Sequence, residues 1–138
     1  MNPGVLLGVF VGGALGSLAR FLILLGFESV LLPSLVVELL STAVVNLLGA
    51  WLLGVVNSQG FKAGANAKAL WGTGFAGGFT TMSGLAVITT SAGLGLGVMS
   101  LLFWLGVLVQ LGLGILVYWL GTRWRGFKAN AATAQAVN

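Results

Sequence analysis

Four long apolar segments, at about 4–26, 35–57, 69–91 and 96–121, make up most of the chain, and short polar stretches separate them. Each reaches the roughly 20 residues that a helix needs to cross a bilayer. The pattern predicts an all-α membrane protein: one domain over residues 1–138 with four transmembrane helices. Residues 123–138 follow as a tail that is basic and then small and polar, with its end expected to be disordered. The first segment is too long and too rich in glycine for a cleaved signal peptide, and no basic stretch precedes it.

The third segment interrupts its own apolar pattern. Residues 72–85, GTGFAGGFTTMSGL, carry Gly72, Gly74, Gly77, Gly78 and Gly84 together with the hydroxyls of Thr73, Thr80, Thr81 and Ser83. Glycine costs about 1 kcal/mol against alanine inside a helix. A Gly-Gly pair followed by two β-branched threonines is a place where a helix opens. Open backbone at membrane depth is tolerated only inside protein or beside a watery cavity. The alternative is that these glycines only let helices pack closely.

Polar residues on the other segments fall at helical spacing. In the first, Gly8, Gly12 and Gly16 share one face at i, i+4, i+8, and Arg20 continues it. An arginine within a span is a functional candidate by default, although near a span end it can also snorkel to the membrane surface. In the second, Glu38, Thr42 and Asn46 form a polar stripe, continued by Ala50 and Gly54. Three aligned polar groups are more than interhelical adhesion requires and indicate a polar track or cavity. In the fourth, Gly106, Gln110 and Gly114 share a face, so Gln110 is expected on a close-packing stripe. Its amide either bonds a neighbouring helix or stands on an ion path. Tyr118, Trp119 and Trp124 read as an interfacial aromatic belt.

Composition narrows the function. The chain is 58% hydrophobic and only 6% charged, against about 25% charged residues in a soluble domain. It has neither cysteine nor histidine, and its two carboxylates are Glu28 and Glu38. That inventory offers no thiolate, no imidazole and no nucleophile–base pair, so an enzyme is not expected. The net charge of +4 is too scattered for nucleic-acid binding, which needs a basic patch. Its meaning is topological. With four spans, Lys62, Lys68, Arg123, Arg125 and Lys128 all fall on the side of the two termini. The positive-inside rule then places both termini in the cytoplasm of a multi-pass cell-membrane protein.

Three motifs in order carry a resemblance. GGALGSLAR at 12–20, TAVVNLLGAWLLG at 42–54 and GFAGGFTTMSG at 74–84 resemble the GGxxGxxxR, TxxxNLxGxxxxG and GxxGGxTTFSTF signatures of the CrcB/Fluc fluoride channel family. The resemblance covers nearly the whole chain. It implies a channel that exports toxic fluoride passively from the cytoplasm. The family assembles as an antiparallel dimer in the membrane lipid, with a broken third helix, pores along the dimer interface and a structural sodium ion at its centre. On this likeness, Asn46 matches the pore-lining asparagine, Thr42 the polar-track threonine and Arg20 the vestibule arginine. Ser83 matches the serine that follows the first pore phenylalanine, and Gly77 and Thr80 match the positions whose backbone carbonyls hold sodium. With Thr81 and Gln110 these complete the candidate site. Fluoride is strongly hydrated, and amide and hydroxyl donors of this kind can replace its water.

The sequence also departs from the family. TTFSTF reads TTMSGL, so Met82 and Leu85 stand where the signature has phenylalanines. Neither offers the positive ring edge that would meet an anion. Phe75 and Phe79 occupy other motif positions. A chain fixed in one orientation and lacking these rings is expected to pair with an oppositely oriented, paralogous CrcB-like subunit. Two rivals remain. One is a non-conducting assembly subunit of such a heterodimer. The other is a small multidrug-type exporter, which would need a carboxylate deep in the first span.

Overall fold

A computed structural model describes residues 2–28, 34–58, 61, 63–81 and 97–135. The described chain is all-helical. Helix α1 is Pro3–Glu28 and α2 is Ser34–Asn57. A third helix, α3, has an α-helical start at Ala65–Lys68, a π-helical stretch at Ala69–Ala76 and a last α-helical turn at Gly77–Phe79. Helix α4 is Val98–Gln135. Gly97 leads into it at φ 129°, a left-handed backbone value that suits glycine. Three of the helices, α1, α2 and α4, are long and apolar enough to cross a membrane. Ala65–Phe79 alone falls short of the roughly 20 residues required, and the rest of the expected third span, 82–91, lies outside the described residues.

Helix α4 runs for 38 residues, of which Ser100–Trp124 is long and apolar enough to cross a membrane, close to the span expected at about 96–121. No Pro follows Trp119, no Gly follows Gly126, and alanine recurs through 129–134. Alanine is the strongest helix former, so nothing local stops the helix at the end of the apolar run.

Small residues decide which helices meet. Gly8, Gly12 and Gly16 of α1 are buried against α3. A Cβ on Gly12 would collide with the Leu70 carbonyl oxygen, and one on Gly16 with that of Phe75. From the other side, a Cβ on Gly74 would lie 2.8 Å from the Val9 carbonyl oxygen. Backbone thus packs on backbone, as small-residue stripes permit in membranes. Gly72 turns the opposite way, where a Cβ would meet Val56 at 3.4 Å and Leu53 at 3.7 Å. Helix α3 is therefore wedged between α1 and α2, and its buried residues lie on both flanks.

Helix α2 holds α4 on its own far side. Gly54 and Gly121 face each other there, so that a Cβ on Gly54 would strike the Tyr118 carbonyl oxygen and one on Gly121 that of Trp51. Trp51 and Trp124 pack edge to face at 6.0 Å, and Arg123 stacks 3.5 Å over the Trp119 ring. Among the described residues nothing packs on the expected close-packing stripe of α4, because Cβ atoms at Gly106 and Gly114 would meet none of them within 4 Å. Among the described residues α4 packs substantially against α2 alone.

The core is thin. Val45 and Val56, each 2% exposed, are its largest fully buried side chains, while Phe10 and Ile115 are over 70% exposed. Apolar exposure on this scale along α1 and α4 suits lipid rather than water. The chain is an all-α membrane protein.

Gly12→Ala should lower the thermal stability of the detergent-solubilised protein by about 1–3 kcal/mol, the usual cost of overpacking. Gly112→Ala, where a Cβ would meet nothing, should leave the melting curve unchanged or raise it.

Candidate functional site

The break predicted at the Gly/Thr-rich stretch falls at Thr80. The Thr80 N–H makes the last helical bond, donated to the Ala76 carbonyl at 3.0 Å. Its own backbone then turns extended, with φ −74° and ψ 156°. The Thr80 hydroxyl also donates to the Ala76 carbonyl, at 2.9 Å. The final carbonyls of any helix lack intrahelical partners, and here helices α1 and α2 supply them. Ser17 donates its hydroxyl to the Gly78 carbonyl at 3.4 Å, and Arg20 donates from Nη1 to the Thr80 carbonyl at 3.4 Å. Asn46 donates from Nδ2 to the Thr81 carbonyl at 3.2 Å and accepts the Thr81 N–H on Oδ1 at 2.9 Å.

Thr81 lines two cavities. One, of about 290 Å³, is lined by Arg20 and Ser17 of α1, by Glu38, Ser41 and Thr42 of α2, and by Thr81. Thr42 is 7% exposed and Ser41 is 5% exposed. The Ser41 hydroxyl is turned back to the Glu38 carbonyl at 3.1 Å. The other cavity, of about 350 Å³, lies between α2, the end of α3 and α4. Asn46, Thr80 and Thr81 form one wall, and Gln110, Gly114 and Tyr118 form the other.

Most of the candidate residues converge. Thr42 and Arg20 line the first cavity, Asn46 and Gln110 the second, and Thr81 lines both, which makes Thr42, Asn46 and Thr81 a candidate polar path. The Arg20 guanidinium turns inward to α3 rather than toward the end of α1. Gly77 and Thr80 flank the last turn, Gly77 exposed and Thr80 half-buried. Ser83, Met82 and Leu85 lie outside the described residues. Phe75 and Phe79 do not move into the path. Their rings stack at 5.6 Å, and Phe79 is 6% exposed, with its Cδ1 3.6 Å from where a Gly49 Cβ would sit.

Ser17 and Gly49 were not singled out by sequence reasoning. Ser17 stands four residues after Gly13, on a face adjoining the glycine stripe, so a polar group was readable there but its carbonyl partner was not. Gly49 follows Asn46 by one helical turn and leaves room for the Thr80 methyl, with which a Cβ would collide.

The fold and site define a helical integral membrane protein whose few polar side chains gather at the end of a broken helix. The chain belongs to the CrcB family, matching over residues 7–122 the family described as "CrcB-like protein, Camphor Resistance (CrcB)". It is 40% identical over 100 residues to "Fluoride-specific ion channel FluC 2" of Cutibacterium acnes, covering 67% of this chain and 75% of that relative. It is 42% identical over 81 residues to "Fluoride-specific ion channel FluC" of Gloeobacter violaceus, covering 57% of this chain and 63% of the relative. A third relative, "Fluoride-specific ion channel FluC 2" of Leifsonia xyli subsp. xyli, is 41% identical over 87 residues, 59% of this chain and 57% of its own length. No solved structure matches the chain significantly. The relatives are channels, and the family is not one of enzymes.

Gly49→Ala should drive the Thr80 methyl from its place and lower thermal stability by about 1–3 kcal/mol. Adding Thr80→Ser, which deletes that methyl and keeps the hydroxyl, should restore most of the loss in the same melting assay.

Proposed function

We propose that this chain is a subunit of a fluoride channel that lets the toxic anion leave the cytoplasm passively, with the polar path past Thr42, Asn46 and Thr81 as its share of a pore. The observation that carries the reading is Thr81, which lines two cavities that each hold donor groups, in a chain whose relatives are named fluoride-specific channels. A small anion stripped of water needs N–H and O–H donors. The Arg20 charge raises the potential for an anion in the first cavity. Asn46, Thr42, Thr81, Ser83 and Gln110 are the proposed donors, and Arg20 draws the ion in.

The proposed assembly is an antiparallel dimer of four-span subunits in the cell membrane, with both termini in the cytoplasm. The Gly106–Gly114 face of α4, which has no close neighbour among the described residues, supports a partner helix beside it. A structural sodium ion at the dimer centre suits the end of α3. Thr80 has left the helical ladder, and Gly77 is exposed with open space around it. The carbonyls of Gly77 and Thr80 are hard oxygen donors of the kind that hold alkali ions where helices break. The Thr80 oxygen would be shared with the Arg20 guanidinium, so the partner must furnish further oxygens. Sodium there would tie the two subunits together and add positive potential beside the pore.

Met82 and Leu85 in place of the family phenylalanines, and the one-sided charge, favour a heterodimer with a paralogous CrcB-like subunit. They also sustain a second reading, in which this subunit completes the dimer without conducting.

Liposomes holding this chain with its paralogous partner should release fluoride, read by a fluoride electrode, and liposomes holding this chain alone should not. Efflux from this chain alone would sink the heterodimer. Asn46→Ala in the pair should cut efflux at least tenfold, whereas unchanged efflux would favour the assembly role. Orientation is read separately. The chain has no cysteine, so Ala136→Cys should react with an impermeant maleimide only after the cells are opened.

A further inference from the structure

We propose that Asn46 is a two-point latch on the broken end of α3, a positioning residue that holds the Thr81 backbone in place as well as lining the path. The proposal deepens the channel reading but rests on it only for the flux measurement below.

A carboxamide offers one acceptor oxygen and two N–H donors. Asn46 commits the oxygen to the Thr81 N–H at 2.9 Å and one N–H to the Thr81 carbonyl at 3.2 Å. Both polar groups of a single residue are thus taken by a single side chain, the reciprocal exchange that two facing residues make in an antiparallel sheet. The need for it follows from Thr80. Had α3 continued, the Thr81 N–H would bond to the carbonyl of Gly77 four residues back. With Thr80 at φ −74° and ψ 156° the helix has ended, and an amide left open at membrane depth is costly. Asn46 takes over that bond from a neighbouring helix.

The pairing has a second consequence. It fixes which way the amide faces, because a reversed carboxamide would set N–H against N–H and oxygen against oxygen. One Nδ2–H is then left for the cavity that Asn46 lines with Thr80 and Gln110. The other holds on this end of α3, from Ser17 to Gly78 and from Arg20 to Thr80, are 3.4 Å long, near the weak limit for hydrogen bonds. Among the described residues Asn46 makes the shortest of these bonds and holds α3 at two points.

The latch is separable from contact with an ion by changing the backbone and leaving Asn46 alone. Replacing Thr81 with its α-hydroxy acid turns the Thr80–Thr81 amide into an ester, which removes the N–H donated to Asn46 and keeps every side chain. It also weakens the Thr80 carbonyl as an acceptor, so its efflux is read together with the exchange measurement. This variant should lose at least tenfold in fluoride efflux from liposomes holding the paired subunits, and wild-type efflux from it would overturn the proposal. Amide hydrogen exchange in lipid nanodiscs, with no fluoride present, reads the latch directly. Asn46→Asp keeps the acceptor and loses the donor, and Asn46→Ala loses both. Exchange at residues 78–81 should quicken about tenfold in the first and more in the second, with α4 unchanged. Unaltered exchange at 78–81 in both would overturn the latch. Absence of efflux from the unmodified pair would count against the channel reading alone, since exchange decides the latch without it.

Discussion

A backbone N–H or C=O that leaves its helix inside a membrane has no water to turn to. The end of α3 is where this constraint falls. The helix stops at Phe79 among apolar segments, and the carbonyls of Gly78, Thr80 and Thr81 are each met by a side chain from another helix. Much of the remaining structure can be read as the means of bringing those side chains there. Ser17 and Arg20 reach α3 because Gly8, Gly12 and Gly16 let α1 lie against its backbone. Asn46 reaches Thr81 because Gly49, one turn on, leaves room for Thr80. Glycine lacks a side chain to bury, but at these positions a Cβ would hold the helices apart and leave the α3 carbonyls unmet.

Helix α2 is the element on which the two cavities depend. One of its faces carries Glu38, Thr42 and Asn46 in line, and its glycines admit the Thr80 methyl on one side and Tyr118 on the other. Glu38 and Thr42 open into the cavity shared with Arg20, whereas Asn46 lines the second and faces Gln110 across it. The walls of the two cavities are mainly apolar, and the polar groups set in them are mostly ones that can donate to an anion, with Glu38 the one carboxylate among them.

The aromatic residues of α3 do different work. Trp71, Phe75 and Phe79 form a ladder of rings 5.6 Å apart along the helix. Phe79 is buried, so its ring is spent on packing and does not reach the polar route. The rings missing at Met82 and Leu85 are therefore not replaced by their neighbours in sequence. This is the physical reason that a partner subunit enters the functional reading.

Class and membrane setting were legible in the sequence, because a bilayer imposes length and apolarity on every span and the chain satisfies both in α1, α2 and α4. The glycine stripe of α1, the polar stripe of α2 and the place of the break were legible too, since each follows from helical periodicity or from the conformational weakness of Gly-Gly-Phe-Thr-Thr. Three things were not. The stripe at Gly106, Gln110 and Gly114 has the same spacing as the stripe of α1, yet its glycines meet no helix among the described residues, because spacing names a face and not its neighbour. The helical tail to Gln135 outran the apolar pattern, since helix propensity does not end where hydrophobicity does. The pairing of Asn46 with Thr81 was beyond reach. It joins residues 35 apart, and only the wedging of α3 between α1 and α2 decides which carboxamide meets which open amide.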